Sequence, residues 1–393
     1  MSKTSERKLH LGVAGLGRAF SVMLPAFAGD ARVMLVAAAD ARAEARQRFA
    51  DEFSAASYSS VEELCADPGV EAVYVATPHQ YHAQHAVLVA RHRKHLLVEK
   101  PMALTLDECN DMVAEARKAG VYLVVGHSHS FDAPVQRLHT LVRSGEFGAV
   151  RMINAINYTD YLYRPRRREE LDTAQGGGAV FNQAAHQVDI VRLVGGGRVS
   201  SVRAATGAWD LHRPTEGAYA ALLTFANGTF ASLTYSGYGH FDTDEFEGWI
   251  GEMGQRKTPY SGSPWPRFAN MDEEVSSKDA HNYGGSDYRF SAARPVAHQH
   301  FGTLLVSCER ADLRAVANGV MIYQDGKARL DALMLSAISR SEVIDEFYQA
   351  VVHDKAPLHD GAWAMATLEI LLAILRSARE GCDVHLSHQV GVP

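Results

Sequence analysis

Apolar and polar positions follow two different rhythms along this chain. Between residues 9 and 128 the runs LHLGVAG, VMLVAAAD, AVYVAT, HLLVEKP and VYLVVGH are short and rich in Val and Leu, and segments with a helical repeat, ARAEARQRFADEF, HAQHAVLVARH and LDECNDMVAEARKAG, separate them. Short apolar strands alternating with amphipathic helices predict a doubly wound parallel sheet covered on both faces. After about residue 130 the runs RMINAINYTDY, SVRAATGAW, GAYAALLTFANGTFASLTYSGYG and LRAVANGVMIYQDG carry strand patterns, two of them with hairpin signals at Asn227-Gly228 and Asn318-Gly319. These predict a mostly antiparallel second sheet. Residues 237 to 300 are rich in Gly, Ser, Pro and charge and read as a long excursion over the second domain. The segment from about Ser336 to Arg379 is helical by periodicity, with Asp360-Gly361 as a cap. No internal repeat or low-complexity tract interrupts the pattern.

Length and composition narrow this picture. At 393 residues the chain is long enough for two domains, and 47% hydrophobic with 22% charged residues suits a soluble globular protein. No uninterrupted apolar run approaches the roughly 20 residues that span a bilayer. The lead-in MSKTSERKLH is polar and lacks a cleavage signal, and the four cysteines are far apart, so a reduced, cytoplasmic location is expected. A net charge of -7 offers no basic face for nucleic acid. A small-molecule partner is expected instead.

Four stretches carry candidate chemistry at strand ends. In LGVAGLGRAFSVMLPAF, Gly15 and Gly17 provide the turn and the side-chain-free approach that a pyrophosphate needs at a helix N-terminus, formed here by Arg18, Ala19 and Phe20. Phe20 occupies the position of a third glycine, which implies a shifted helix or a ring that faces away from the phosphate. Asp40 ends the second strand, where a carboxylate accepts hydrogen bonds from both ribose hydroxyls of NAD; Arg42 is close enough to keep NADP open. The next strand ends at VATPHQYH, placing Ala76, Thr77, Pro78 and His82 at the crevice, and the following one ends at Glu99, Lys100 and Pro101. The Lys100 ammonium is suited to polarising a substrate oxygen. His79, His82 and His85 recur every three residues, but no Cys or paired carboxylate completes a site, and no metal is expected.

In this order, the glycine turn, Asp40, "ATP" with His82, "EKP" and the GGGA run before His186 resemble the Gfo/Idh/MocA oxidoreductase family over nearly the whole chain. The resemblance implies a Rossmann domain at 1-128 and an α/β domain at 129-393 with a large open antiparallel sheet, which binds substrate and forms homodimers or homotetramers. It also implies that the helical segment at about 336-380 packs back toward the Rossmann domain. The implied activity is nicotinamide-dependent oxidation of an alcohol, with NAD contacted by Gly15, Gly17, Arg18, Ala19, Phe20, Asp40, Arg42, Ala76, Thr77, Pro78, His82, Glu99 and Lys100.

The stretch GGGAVFNQAAHQVDIVRLVGGG sets Asn182 four residues before His186 and Asp189 three after it, near one face of a helix. In many relatives an Asp stands at the position of Asn182 and forms a proton-accepting dyad with the histidine. Here an amide orients His186, the expected base, without stabilising its imidazolium. Asp189 is expected to hold the helix against a neighbour. VGHSHSFDAP carries Ser130 where sugar-acting relatives often have Arg, and brings His127 and His129 near the substrate beside His82 and Asn182. YRPRRREELD offers Arg164, Arg166 and Arg167, whose guanidinium groups suit a dianionic substrate. Together these features resemble the branch that acts on phthalate 4,5-cis-dihydrodiol. A sugar or polyol dehydrogenase and a non-catalytic nucleotide sensor are the other readings.

Overall fold

The Val- and Leu-rich runs of the first half form strands buried on both faces, the pattern of a parallel sheet covered by helices. The structure, a computed structural model, describes residues 7–126, 128–260, 268–290 and 294–392. Strands β1 (Leu9–Ala14), β2 (Val33–Ala39), β3 (Ala56–Tyr58), β4 (Ala72–Val75), β5 (His95–Val98) and β6 (Leu123–Val125) pair in parallel in the order β3-β2-β1-β4-β5-β6. The order reverses between β1 and β4, which is where a doubly wound sheet opens a ligand crevice. Helices α1 (Arg18–Gly29), α2 (Ala43–Phe53), α3 (Val61–Ala66), α4 (His82–Arg91) and α5 (Leu106–Ala119) connect the strands. The short β3 and α3 were not expected from the pattern. Three residues are too few to show a period, although Ser60 and Glu63 form a capping box at the start of α3.

The chain divides into two compact units. The first contains residues 1–127, 272–293 and 340–365. Residues 272–293, read from composition as part of an excursion over the second domain, therefore belong with the parallel sheet. The reason is aromatic packing: Tyr283, fully buried, meets the Phe20 ring edge-on at 5.1 Å, and its hydroxyl donates to Glu52 at 2.8 Å. Arg48 lies over both Tyr283 and Tyr288. In segment 340–365 the helix Ser341–His353 reaches the N-terminal edge through Tyr348, whose hydroxyl donates to the Arg7 carbonyl at 2.6 Å. His359 O accepts from Val125 N at the edge of β6.

The second unit contains residues 128–271, 294–339 and 366–393. Its sheet has nine strands: β7 (Val150–Tyr158), β8 (Val199–Gly207), β9 (Ala218–Phe225), β10 (Phe230–Ser236), β11 (Thr303–Cys308), β12 (Asp312–Val316), β13 (Gly319–Gln324), β14 (Lys327–Ala332) and β15 (Val384–His385). They are ordered β14-β13-β12-β11-β7-β10-β9-β8-β15, and every pairing is antiparallel except β7 with β10. Both Asn-Gly signals fall in hairpins, between β9 and β10 and between β12 and β13. Helices α6 (Ala133–Arg143) and α7 (Ala185–Gly195) pack on one face, and every residue of α7 is buried. On the strands themselves alternate side chains stay outside, with Ile156, Leu222 and Phe230 each more than one-third exposed.

One helix among the described residues, Gly361–Glu380, is long and apolar enough to cross a membrane. Glu369, Arg376 and Arg379 interrupt it, and its Trp363, Leu368, Ile370 and Ile374 are buried within the protein as in a core helix.

Replacing Tyr283 by Ala removes the ring that seals Phe20 and should lower stability by about 3 kcal/mol. Urea denaturation of the full chain measures this, and an unchanged midpoint would show that residues 272–293 are not part of the first unit's core.

Candidate active site

The first unit assembles one set of site residues at the carboxyl ends of β1, β2, β4 and β5. Gly15 has φ +97°, and a Cβ there would stand 2.7 Å from the Ala76 carbonyl oxygen, so the turn after β1 touches the turn after β4 backbone to backbone. Gly17 is the N-cap of α1, and a Cβ on it would meet nothing within 4 Å. The first bond of the α1 ladder runs from Ser21 N to Gly17 O. The N–H groups of Arg18, Ala19 and Phe20 precede that ladder and form the positive end of the helix dipole. This open, side-chain-free cradle fits a dinucleotide pyrophosphate. The Phe20 side chain plays no part in it: the ring is fully buried between Phe49 and Tyr283. Of the two explanations for a bulky third-glycine position, the ring that faces away is the one found.

Asp40 holds the turn from the β2 side. Its Oδ2 accepts from Leu16 N at 2.7 Å, while Oδ1 accepts from Arg42 N at 2.8 Å and Arg42 Nε at 3.1 Å. Arg42 in turn donates to Leu16 O at 2.8 Å. Both the amide and the carbonyl of Leu16 are therefore fixed by this ion pair.

Lys100 is half-buried and held on both flanks. Its amide donates to Glu99 Oε2 at 3.3 Å, and the buried Glu99 accepts from the Tyr74 hydroxyl at 2.5 Å. The peptide to Pro101 is cis. The Pro101 carbonyl lies 2.8 Å from His82 Nδ1, and His82 Nε2 lies 2.8 Å from the Thr77 carbonyl. His82, expected against both substrate and cofactor, is fully enclosed; its imidazole ties the turn after β4 to the turn after β5, and burial pushes its pKa down. Thr77 Oγ1 also bonds His85 Nδ1 at 3.0 Å. Among the described residues no group of His, Cys, Asp or Glu is arranged to hold a metal ion.

The second unit builds its set around the glycine run. A Cβ on Gly177 would fall 2.6 Å from the backbone of Glu169 and Glu170, and Gly178, at φ +81°, leaves no room beside the Glu216 carboxylate. Buried Glu216 accepts from Thr173 Oγ1 at 2.5 Å and from Val180 N at 3.1 Å. Asn182 Nδ2 donates back to the carbonyls of Gly178 at 3.0 Å and Gly176 at 3.2 Å. Residues Val180–Ala184 form a π-helical turn before α7. That extra residue per turn breaks the expected common face. Asn182 turns to the glycines, whereas His186 faces the rings of Phe301 at 4.8 Å and His129 at 4.9 Å. Asp189 accepts from Ser130 Oγ and, at 3.0 Å, from Thr367 Oγ1, pinning the helix to its neighbours.

His129 is the strongest electrostatic feature. The ring is fully buried, with Nδ1 2.6 Å from Asp132 Oδ2 and Nε2 3.2 Å from Glu252 Oε1. Burial alone would push its pKa down; the two carboxylates outweigh it and raise the value to about 9. Arg164 is exposed and donates to Asp160 at 2.9 Å. Arg166, expected over the crevice, is instead buried with its guanidinium 3.7 Å from the Tyr161 ring centroid, donating to the Tyr161 carbonyl and facing Glu170 at 3.7 Å. The aromatic face and the carbonyl acceptor hold it within the loop. His127 lies outside the described residues. Asp132, Glu252, Phe301, Glu216 and Tyr74 were not singled out from the sequence; only Asp132 had a signal, its three-residue spacing from His129.

Two family models match. "Oxidoreductase family, NAD-binding Rossmann fold" covers residues 9–127 and "GFO/IDH/MocA C-terminal domain" covers residues 135–250. The chain is 45% identical to 1-carboxy-3-chloro-3,4-dihydroxycyclohexa-1,5-diene dehydrogenase of Comamonas testosteroni, over 94% of this chain and 95% of that one. It is 31% identical to trans-1,2-dihydrobenzene-1,2-diol dehydrogenase of Mus musculus, over 52% of this chain and 60% of the other. A crystal structure described as a dehydrogenase from Bordetella bronchiseptica RB50 superposes with a TM-score of 0.88 at 39% identity, covering 96% of this chain and all of that one.

The His129 environment has a measurable signature. Its pKa is raised from 6.5 to about 9, so the stability it contributes is complete below about pH 6.5 and is lost as pH rises through about 9. The loss should be on the order of 3 kcal/mol. Proton NMR of the imidazole should show this titration, and Asp132→Asn should move it down. A ring that titrates near 6.5 in both proteins would contradict the clamp.

Proposed function

We propose that this chain, which belongs to the Gfo/Idh/MocA family of NAD(P)-dependent oxidoreductases, dehydrogenates a ring-carboxylated cyclohexadiene cis-diol to the corresponding catechol carboxylate. The observation that carries the reading is the neighbourhood of His186: an aromatic wall through Phe301, and the cationic His129 ring at 4.9 Å. A flat, anionic ring suits both. The chain's similarity to a dehydrogenase whose name specifies a carboxylated dihydroxycyclohexadiene supports the same class. Within it we take phthalate 4,5-cis-dihydrodiol, giving 4,5-dihydroxyphthalate, as the substrate, with His129 and Arg164 as cations for its two carboxylates. Arg166 is withdrawn from that role because Tyr161 and Glu170 already hold it.

The roles follow from chemistry. Gly15, Gly17, the first amides of α1 and Asp40 hold the dinucleotide, and NAD, when bound, supplies the acceptor for the carbinol hydrogen. Lys100, fixed through Glu99 and through the Pro101–His82 contact, polarises the hydroxyl oxygen that reacts. His186 takes the hydroxyl proton. The hydroxy-dienone so formed aromatises by tautomerisation. The exposed apolar positions Ile156, Leu222 and Phe230 on the open sheet face support a homodimer or homotetramer built through it, which analytical ultracentrifugation would reveal. The cysteines, none of them paired, fit a cytoplasmic setting, which localisation of a tagged chain in intact cells would test.

Lys100→Met should lower turnover at least roughly a hundredfold while leaving NAD binding nearly intact. Arg164→Ala should cost about 1.5 to 3 kcal/mol in kcat/KM for phthalate dihydrodiol, roughly 10- to 150-fold. NADH absorbance against a substrate panel reads both. Good turnover of inositol or glucose, with the Arg164 variant fully active, would refute the dihydrodiol reading.

A further inference from the structure

His129 is bonded to two carboxylates that differ in every respect that governs exchange. The Asp132 side chain is almost fully buried, three residues along the chain and 2.6 Å away. Glu252 arrives from 123 residues away, its side chain is one-third exposed, and its contact is longer, 3.2 Å. Its backbone is fixed: Gly251 N donates to Gln255 O and Gly254 N to Gly251 O, each at 2.8 Å, and Val296 N donates to Gly254 O at 2.9 Å. Movement of the Glu252 side chain takes the carboxylate away from the Nε2 side of the imidazolium.

We propose that Glu252 is an internal stand-in for substrate: its carboxylate occupies the anion subsite at His129 Nε2, and a carboxylate attached to the substrate ring displaces it. The proposal rests on the function proposed above for the identity of the ring, and on geometry for the subsite. Whatever occupies Nε2 lies beside the ring that also meets His186 at 4.9 Å and Phe301 at 5.1 Å. The exchange is carboxylate for carboxylate, so the number of charges around the buried imidazolium does not change. Glu252 passes into water that already reaches one-third of its side chain, and its field also acts on Arg164. Asp132 cannot leave in the same way, since departure would strand the imidazolium. A neutral polyol has no group that replaces the lost ion pair, so Glu252 would stay and narrow the subsite. The same residue therefore both holds the subsite in readiness and selects for an acid.

Benzoate is the probe, titrated calorimetrically into the full-length protein. Glu252→Gln and Glu252→Ala, which remove the competing charge, should each bind benzoate about tenfold more tightly than the unmodified chain, and benzamide should gain nothing. His129→Gln should abolish the gain when combined with either. In turnover, Glu252→Gln should lower KM for a carboxylated dihydrodiol. Equal or weaker benzoate binding by both Glu252 variants would overturn the proposal, as would an equal gain for benzamide. Tighter benzoate binding in a protein that turns over no dihydrodiol would leave the subsite standing and refute the function proposed for it.

Discussion

Everything at the candidate site depends on places where the chain comes too close to itself to carry a side chain. The turn after β1 touches the turn after β4 because Gly15 has no Cβ to meet Ala76. That contact sets the N-terminus of α1 at the point where strand order reverses, and it brings Leu16 within reach of Asp40 and Arg42. Gly177 and Gly178 do the same work in the second unit. They let the chain run against Glu169, Glu170 and Glu216, and so fix where the π-helical turn begins and where His186 faces. A methyl group at any of these positions would move reactive groups by more than the tolerance that catalysis allows.

Burial of polar groups then divides structure from chemistry. Arg192 is fully buried yet bonds Gly197 O and Thr367 Oγ1, and Thr367 also serves Asp189. Asp189 and Glu216 are likewise satisfied by neighbours that have no reason to let go. Such groups stabilise a particular arrangement because leaving any one unpaired costs more than the bond contributes. His129 is different in that one of its two carboxylate partners, Glu252, already has one-third of its side chain in water. A buried cation with an exchangeable counter-ion is an anion site, whereas one with fixed counter-ions is a strut.

Much of the fold was legible in the sequence because its cues are local. The β1, β2, β4, β5 and β6 runs are dense in Val, Leu and Ala, and both Asn-Gly pairs lie in hairpins. β14 was missed because KARLDA is mostly exposed and has no apolar period, and β11 because its signal was lost next to a long irregular stretch. At the site, Gly15, Asp40 and Lys100 stand at the strand ends where their motifs placed them. His82 and Arg166 did not keep their expected roles, since spacing reports where a side chain starts and not what encloses it. Glu252 had no local signal at all: its partner is 123 positions away, and only the folded chain pairs them. The helical spacing of Asn182 and His186 misled for a related reason, because one residue of π-helix rotates everything before it.

The Asp40–Arg42 pair shows how one interaction can serve both architecture and selectivity. A cation beside the β2 carboxylate is what left NADP open in the sequence. In the folded unit, however, Arg42 donates to Asp40 and to the Leu16 carbonyl, and Asp40 accepts from Leu16 N, so the guanidinium that a 2′-phosphate would need is already part of the turn. Recruiting it would take Arg42 from both acceptors and bring a dianion toward a carboxylate that is only 10% exposed. Neither cost arises with a ribose hydroxyl, which can donate to the lone pairs Asp40 retains. The geometry that holds the glycine turn in place thus also favours NAD, and relaxing that preference would loosen the turn itself.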